Sequence, residues 1–251
     1  MSILELKGLT QRFGGLIAVN DVDLSVEAGE IVGLIGPNGA GKTTVVNLIT
    51  GVFKPSSGTV TFKGRRLDGL KPYQISRMGV ARTYQVVQPF PEMSVLENVM
   101  APAIFAAGAS SKAEAMRAAD EAIDFLGLKD LRDTLASELT LAERKRLELA
   151  KSLAMKPEVL LLDEVNAGLN PAEIEVALEM IRAIAARGVT IILIEHLMKV
   201  VMSLCSRIVV LHHGAKIAEG KPDEITQNEK VIQAYLGNRY AKANAAEKPN
   251  V

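Results

Sequence analysis

Residues 36–43 read Gly36-Pro37-Asn38-Gly39-Ala40-Gly41-Lys42-Thr43, a complete G-x-x-x-x-G-K-[ST] pattern. A short β-rich run, Ile31-Val32-Gly33-Leu34-Ile35, enters it, and Thr44-Val45-Val46-Asn47-Leu48-Ile49 leaves it with helical potential, the setting the pattern requires. Glycines let a backbone wrap closely around phosphate oxygens, while successive N–H groups and a helix N-terminus supply positive potential. Lys42 would reach the β- and γ-phosphates, and Thr43 would place its hydroxyl on Mg²⁺. These residues predict a nucleoside-triphosphate site.

A second set of groups points to the same chemistry. Leu160-Leu161-Leu162-Asp163-Glu164 puts two carboxylates at the C-terminal end of an apolar strand, the edge where parallel sheets bind ligands. Asp163 suits Mg²⁺, usually held through water. Glu164 could accept a proton from an attacking water. The bland alternative is a pair that caps the next turn, and the phosphate loop in the same chain weighs against it. His196 follows the apolar run Ile191–Ile194, where a histidine is more often a hydrogen-bonded structural residue. Its place after a third buried strand brings it toward the same edge, where it could contact a γ-phosphate or position water. Gln85 stands just before a change of texture and could offer its amide to Mg²⁺ or water. Thr140 and Glu143 form a T-x-x-E capping box at the start of a helix.

The elements that must position these groups are readable in outline. The chain has 251 residues and 48% apolar content, enough for a substantial core. Lys+Arg and Asp+Glu both number 29, so no overall field points to nucleic acid. The single cysteine, Cys205, can make no internal disulfide. Charged residues appear by position 7, without a signal-type apolar stretch. The most apolar segment, 190–211, is interrupted by Glu195, His196, Lys199 and Arg207 and cannot span a bilayer. Any membrane role is therefore expected to be peripheral, through a partner.

Short strands are expected at 2–6, 22–26 and 58–62, forming a small antiparallel sheet. Pro89, Pro91 and Pro102 punctuate a new region. Helices are predicted over 112–126, closed by Gly127, and over about 141–155. Buried strands return at 159–162, 190–194 and 208–211, alternating with a helix at 171–186, which indicates a parallel sheet covered on both faces. Past Gly237 the tail turns polar and Ala-rich and is expected to fray.

Taken in order, these features resemble an ABC-type ATPase subunit over about residues 3–237. The resemblance identifies 36–43 as the phosphate loop, Gln85 as the Q-loop, Leu139-Thr140-Leu141-Ala142-Glu143 as the signature, and Leu160–Glu164 as Walker B with the catalytic glutamate. It further identifies Ala167-Gly168-Leu169-Asn170 as the D-loop and His196 as the H-loop. Phe13 sits where such proteins stack an aromatic on adenine, and Thr44 extends the ATP contacts. The implied fold is α/β, a P-loop NTPase with a RecA-like core, a small antiparallel β subdomain and a helical insertion. Residues 1–87 and 157–237 would form the catalytic core, 88–156 the helical subdomain and 238–251 a polar tail of one ABC ATPase domain.

In this family two cassettes meet head to tail, and each ATP lies between one phosphate loop and the other cassette's signature. The resemblance implies ATP and Mg²⁺ as cofactors and a second ABC ATPase subunit and transmembrane permease subunits as partners, with no nucleic acid. A periplasmic substrate-binding protein would act indirectly, and the chain would lie on the cytoplasmic face of the inner membrane.

More narrowly, the chain resembles ATP-binding subunits of branched-chain amino-acid transporters. The matching runs are Arg12-Phe13-Gly14-Gly15-Leu16, Ala81-Arg82-Thr83-Tyr84-Gln85, Leu96-Glu97-Asn98-Val99, Ala167–Pro171 and Val231–Gly237. Relatives serving urea or amide uptake or lipopolysaccharide export look alike, and an assembly module with negligible hydrolysis is a further alternative. The usual signature is Leu-Ser-Gly-Gly-Gln. Here Leu141 and Ala142 replace two glycines, adding bulk where close approach is expected. Val165 also stands where the family has proline after Glu164. These departures predict that the opposite ATP is served poorly and that the companion cassette is a non-identical paralogue.

Overall fold

Alternating apolar residues from the N-terminus build a long antiparallel hairpin, β1 (Ser2–Phe13) and β2 (Leu16–Glu27), which turns at Gly14-Gly15 with Phe13 paired to Leu16. Both strands run far beyond the expected 2–6 and 22–26. Register shifts break the strict alternation, so the sequence pattern lapses while the pairing continues. Across β1 lies β4 (Ser57–Phe62), followed by β5 (Arg65–Arg66), giving an antiparallel sheet in the order β2-β1-β4-β5. Leu4 faces Phe62 and Leu6 faces Val60 in register, and all four are buried.

The computed structural model describes residues 2–84, 87–106, 109 and 111–236. The chain divides into two compact units, one of residues 1–49, 53–68 and 193–251, the other of residues 50–52 and 69–192. Besides the hairpin sheet, the first unit holds β3 (Ile31–Ile35), which enters α1 (Lys42–Ile49). It also holds α7 (Met198–Leu204), β9 (Arg207–His212) and β10 (Ala215–Gly220). The short helices α8 (Pro222–Thr226) and α9 (Glu229–Leu236) complete it. β3 and β9 pair in parallel, Val32 opposite Arg207 and Ile35 opposite Val210, while β10 returns antiparallel on β9. Arg207 ties the start of β9 to the loop before β3 and to β2, its Nε donating to Glu30 Oε1 at 2.8 Å and its Nη2 to Ser25 O at 2.6 Å.

In the second unit α2 (Pro72–Arg77) leads to β6 (Val80–Arg82), which pairs in parallel with β7 (Val159–Asp163). Three helices, α3 (Val95–Phe105), α4 (Lys112–Phe125) and α5 (Leu141–Leu153), pack on one another between these strands in the sequence. Then come α6 (Pro171–Ala186) and β8 (Thr190–Ile194), whose last two residues fall in the first unit. Gly127, with φ +66°, follows the end of α4, and α5 stops at Leu153 rather than Met155.

The prolines concealed α3. Pro102 lies inside it, yet Ala106 N–H donates to Pro102 O at 2.8 Å and the ladder resumes. Fully buried Asn98 secures the entry to α3, its Nδ2 donating to the carbonyls of Phe90, Met93 and Ser94. β10, antiparallel at the end of an otherwise parallel set, also had no signal strong enough to predict.

Cys205 is buried between α7 and β9, and burial, with the Glu195 charge adding to it, pushes its thiol up to about 12. Only the thiolate attacks disulfides, so the folded protein should react slowly with an aromatic disulfide reagent from pH 7 to pH 9. Denaturant should release one fast-reacting thiol, and fast native labelling would contradict this burial.

Candidate functional site

The phosphate loop is built entirely in the first unit. Gly36 has φ +152°, and a Cβ there would lie 2.2 Å from Leu211 O on β9. Gly41 has φ +102°, and its Cβ would meet Ala18 O of β2 at 2.5 Å. No side chain fits at either position, so the loop can close only as glycine. Ala40 N–H donates to Pro37 O at 3.1 Å, and Gly214 N–H, in the β9–β10 turn, donates to Ala40 O at 3.0 Å. Lys42 begins α1 and is nearly buried, its Nζ donating to Gly36 O at 2.7 Å and Pro37 O at 3.1 Å. The loop therefore presents a helix N-terminus and an ammonium group on one short curl of backbone, the chemistry a polyphosphate needs.

Gly36 N–H also bonds the hydroxyl of Tyr235 on α9. Burial raises that phenol's pKa, while the Gly36 bond pulls the other way. Phe13, at the end of β1, is 43% exposed and meets Phe53 edge-on with centroids 5.2 Å apart. His196 follows β8 and is exposed. Phe13, Gly36–Thr44 and His196 thus belong to one unit.

Asp163, Glu164, the residues 139–143 and the residues 167–170 belong to the other. Asp163 ends β7 and is 3% exposed. Its N–H donates to Thr83 Oγ1 at 3.2 Å, and its Oδ2 accepts from Arg82 Nη2 at 3.4 Å. Glu164 adopts φ +49°, a left-handed backbone that costs a non-glycine residue and is held here by its neighbours. Its carbonyl accepts from Ala167 N–H at 3.1 Å and from Lys145 Nζ at 3.4 Å. That bend takes the chain sharply away from the strand at the acidic pair. Gln85 lies outside the described residues.

The start of α5 is the predicted capping box. Thr140 N–H and Oγ1 both donate to Glu143 Oε2 at 2.8 Å, and Glu143 N–H donates back to Thr140 Oγ1 at 3.3 Å. Leu141 stands 48% exposed, and a Cβ on Gly168 would come within 2.9 Å of its Cδ2. Asn170 caps α6, its Oδ1 accepting from Ala172 and Glu173 N–H at 3.0 Å.

Two features escaped the sequence reading. One is Arg82, whose guanidinium also lies 4.4 Å from the centre of the Tyr84 ring. The other is a groove of about 280 Å³, lined by Val52, Tyr73, Ile75, Arg82, Tyr84 and Phe105. Phe105 is 71% exposed, and Tyr73, Tyr84 and Val52 are also exposed. The aromatic residues Tyr73, Tyr84 and Phe105 carry no shared period, so no pattern announced the groove.

Among the described residues no cluster of three or more His, Cys, Asp or Glu side chains could hold a metal. Mg²⁺ needs no such cluster, because it is held by one or two oxygen ligands together with phosphates and water. No described helix is long and apolar enough to cross a membrane.

Comparison with known proteins gives consistent matches. The family profile described as ABC transporter matches residues 19–167, and one described as branched-chain amino acid ATP-binding cassette transporter matches residues 215–241. The chain is 44% identical to the high-affinity branched-chain amino acid transport ATP-binding protein LivG of Salmonella typhimurium, covering 94% of this chain and 98% of LivG. It is 42% identical to BraF of Pseudomonas aeruginosa, which carries the same description, with the same coverage of both chains. A crystal structure of the ADP conformation of an ATP-binding cassette of an ABC transporter superposes with a TM-score of 0.85. That cassette is 30% identical over 95% of this chain and 100% of its own length.

The cap makes a stability prediction. Hydrogen bonds from the Thr140 backbone and then its hydroxyl hold the Glu143 carboxyl below its ordinary pKa. A depressed folded-state value means the contribution is complete above the usual carboxylate range and is lost as pH falls through the lowered value. Glu143→Ala should lower stability at pH 7 by about 0.5–1 kcal/mol in urea, with an unchanged denaturant slope. The difference from wild type should shrink as pH falls through the lowered value, and a loss that does not vary with pH would contradict the cap.

Proposed function

The chain belongs to the ABC transporter ATP-binding family, and on that premise we propose that it powers an importer of branched-chain or similar small amino acids. It is an ATP hydrolase with the α/β fold of that family. The observation that carries the reading is the phosphate loop, closed by glycines against Leu211 and Ala18 with Lys42 drawn onto it. The substrate class is supported by the LivG and BraF relatives and by the match at 215–241.

The residues take the following roles in this proposal. Phe13 stacks on adenine. Gly36, Pro37, Asn38, Gly39, Ala40, Gly41, Lys42, Thr43 and Thr44 hold the phosphates, chiefly through backbone N–H groups and the Lys42 ammonium. Thr43, Gln85 and Asp163 hold Mg²⁺, which when bound neutralises charge on the β- and γ-phosphates. Glu164 accepts the proton of the attacking water, and His196 orients that water or the γ-phosphate. Leu139–Glu143 and Ala167–Asn170 face the nucleotide of a second cassette. Residues 88–156 form the helical subdomain of a single ABC ATPase domain, with the core in 1–87 and 157–237 and a tail in 238–251.

As a transport ATP-binding subunit the chain works with membrane permease subunits. We place it at the cytoplasmic face of the inner membrane, with a periplasmic binding protein supplying solute on the far side. The groove of Tyr73, Tyr84 and Phe105 receives a permease segment, since contiguous exposed aromatic surface beside a cavity marks a contact site. The bulk of Leu141 and Ala142 at the signature favours pairing with an unlike cassette.

Phosphate release by purified protein tests the hydrolytic role. Glu164→Gln should lower turnover at least 10²-fold while leaving ATP affinity within about threefold, since a general base contributes 10²–10⁴ in rate. Equal rates would remove Glu164 from that role. Light scattering of the same variant with saturating ATP should show a monomer, because its own signature serves a second nucleotide poorly. A stable ATP-dependent homodimer would refute the unlike pairing.

A further inference from the structure

One face of α5 sets a charge among apolar groups. Ala142, Lys145, Arg146 and Leu149 stand at the three- and four-residue spacing that brings side chains to one side of a helix. All four line the cavity of about 170 Å³ together with Val165 and Leu169. Arg146 keeps part of its surface in solvent, whereas Lys145 is only 8% exposed. A lysine is almost never buried unless its ammonium finds acceptors. One acceptor is the Glu164 carbonyl, to which Lys145 Nζ donates at 3.4 Å.

That carbonyl belongs to the strained member of the acidic pair. Glu164 has φ +49°, and such backbones persist only where their surroundings over-determine them. Two donors converge on its oxygen. Ala167 N–H, at 3.1 Å, closes the turn from within. Lys145 Nζ anchors the turn to α5, whose start is itself held by the Thr140–Glu143 cap. The φ and ψ that aim this carbonyl also aim the Glu164 Cβ. A donor that fixes the oxygen therefore fixes the direction in which the carboxylate leaves the backbone.

We infer that Lys145 is a positioning residue for hydrolysis: its ammonium holds Glu164 in the left-handed bend from which the carboxylate reaches the attacking water. This rests on the reading of Glu164 as the general base. Further partners of the ammonium leave the role intact, because they keep Nζ in place beside the carbonyl. α5 also carries the end of the 139–143 segment. The tie therefore joins the segment proposed to face a second nucleotide to the base that serves the first. A hydrogen bond from a charged donor shifts an equilibrium roughly ten- to a hundredfold, and one as long as 3.4 Å belongs at the low end.

Phosphate release and amide hydrogen exchange on the full chain test the tie. Lys145→Met keeps the length of the side chain and removes the donor. It should lower kcat about tenfold while leaving the KM for ATP and the affinity for a fluorescent ADP within about twofold. Lys145→Arg restores a donor, and the adjoining cavity has room for its larger head, so kcat should stay within about threefold of wild type. A loss confined to KM, or one equally deep in both variants, would overturn the inference. Adding Lys145→Met to Glu164→Gln should cost no further turnover, and a full additional loss would show that the lysine acts elsewhere. If Glu164→Gln alone leaves turnover intact, the reading of Glu164 as the base fails. A crippled Glu164→Gln beside an unimpaired Lys145→Met refutes the tie alone. Independently of turnover, Lys145→Met should speed exchange of the Ala167 amide about tenfold while the amides of β7 exchange as in wild type. Unchanged exchange at Ala167 would mean that the bend holds without Lys145.

Discussion

The phosphate loop depends on a backbone approaching two carbonyl oxygens more closely than any side chain would permit. Both carbonyls are delivered by strand pairing. β3 and β9 run in parallel with Ile35 opposite Val210, so the next step brings Gly36 to Leu211, where its Cβ would sit 2.2 Å from the oxygen. The hairpin strand β2 supplies Ala18 O against both Gly41 and Gly214. Gly214 in turn donates to Ala40, and its carbonyl accepts from Asn20 N–H at 2.8 Å. A slip of one residue between β3 and β9 would turn every paired side chain to the opposite face of the sheet and withdraw the Leu211 carbonyl from the loop. The curvature that exposes N–H groups to a phosphate is thus a property of the sheet as much as of the motif.

Where the first unit works by shape, the second works by charge. Burying a carboxylate such as Asp163 is costly unless hydrogen bonds and a counter-charge accompany it. Arg82 provides the counter-charge and a hydrogen bond to the carboxylate, while the next residue, Thr83, accepts from the Asp163 backbone N–H and fixes the end of the strand. Their position follows from the parallel register of β6 and β7, in which Arg82 stands opposite Leu161, two residues before Asp163. Glu164 then leaves the strand in a left-handed conformation with its carbonyl against Lys145. The two adjacent carboxylates are therefore separated in environment within a single residue, one buried and paired, the other turned by a strained bend.

Local chemistry was legible in the sequence, and lateral chemistry was not. The loop at 36–43, the strand ending at Asp163, the Thr140–Glu143 cap and the helix at 171–186 each follow from residues close together in the chain, whose spacing carries the signal. The length of β1 and β2 was hidden by bulges, and α3 by Pro102, because in both cases pairing or packing overrode the local rule. Arg82 entered the sequence reading only as one member of the run Ala81-Arg82-Thr83-Tyr84-Gln85. Its meaning comes from a neighbouring strand 81 residues away, and no periodicity records that. The Tyr235 contact with Gly36 is of the same kind, since the end of the described chain touches its first functional loop.

The unusual signature shows how such lateral packing can absorb a departure that looks damaging when read alone. Leu141 adds a large side chain where the family has glycine, yet it rests beside Gly168, where a Cβ would leave only 2.9 Å. The next residue, Ala142, lines a cavity of about 170 Å³ with Val165, Leu169 and Ala172. The cap at Thr140 keeps its full set of hydrogen bonds. Substitution has therefore cost the helix little stability, and its consequence falls on the exposed side, where half of the Leu141 surface projects from the first turn of α5. A phosphate approaching those N–H groups would have to displace an apolar side chain rather than pass a glycine. Selection for folding alone would not penalise this arrangement, and an unlike companion cassette would leave the transporter with one well-formed site, the one that uses this chain's own phosphate loop.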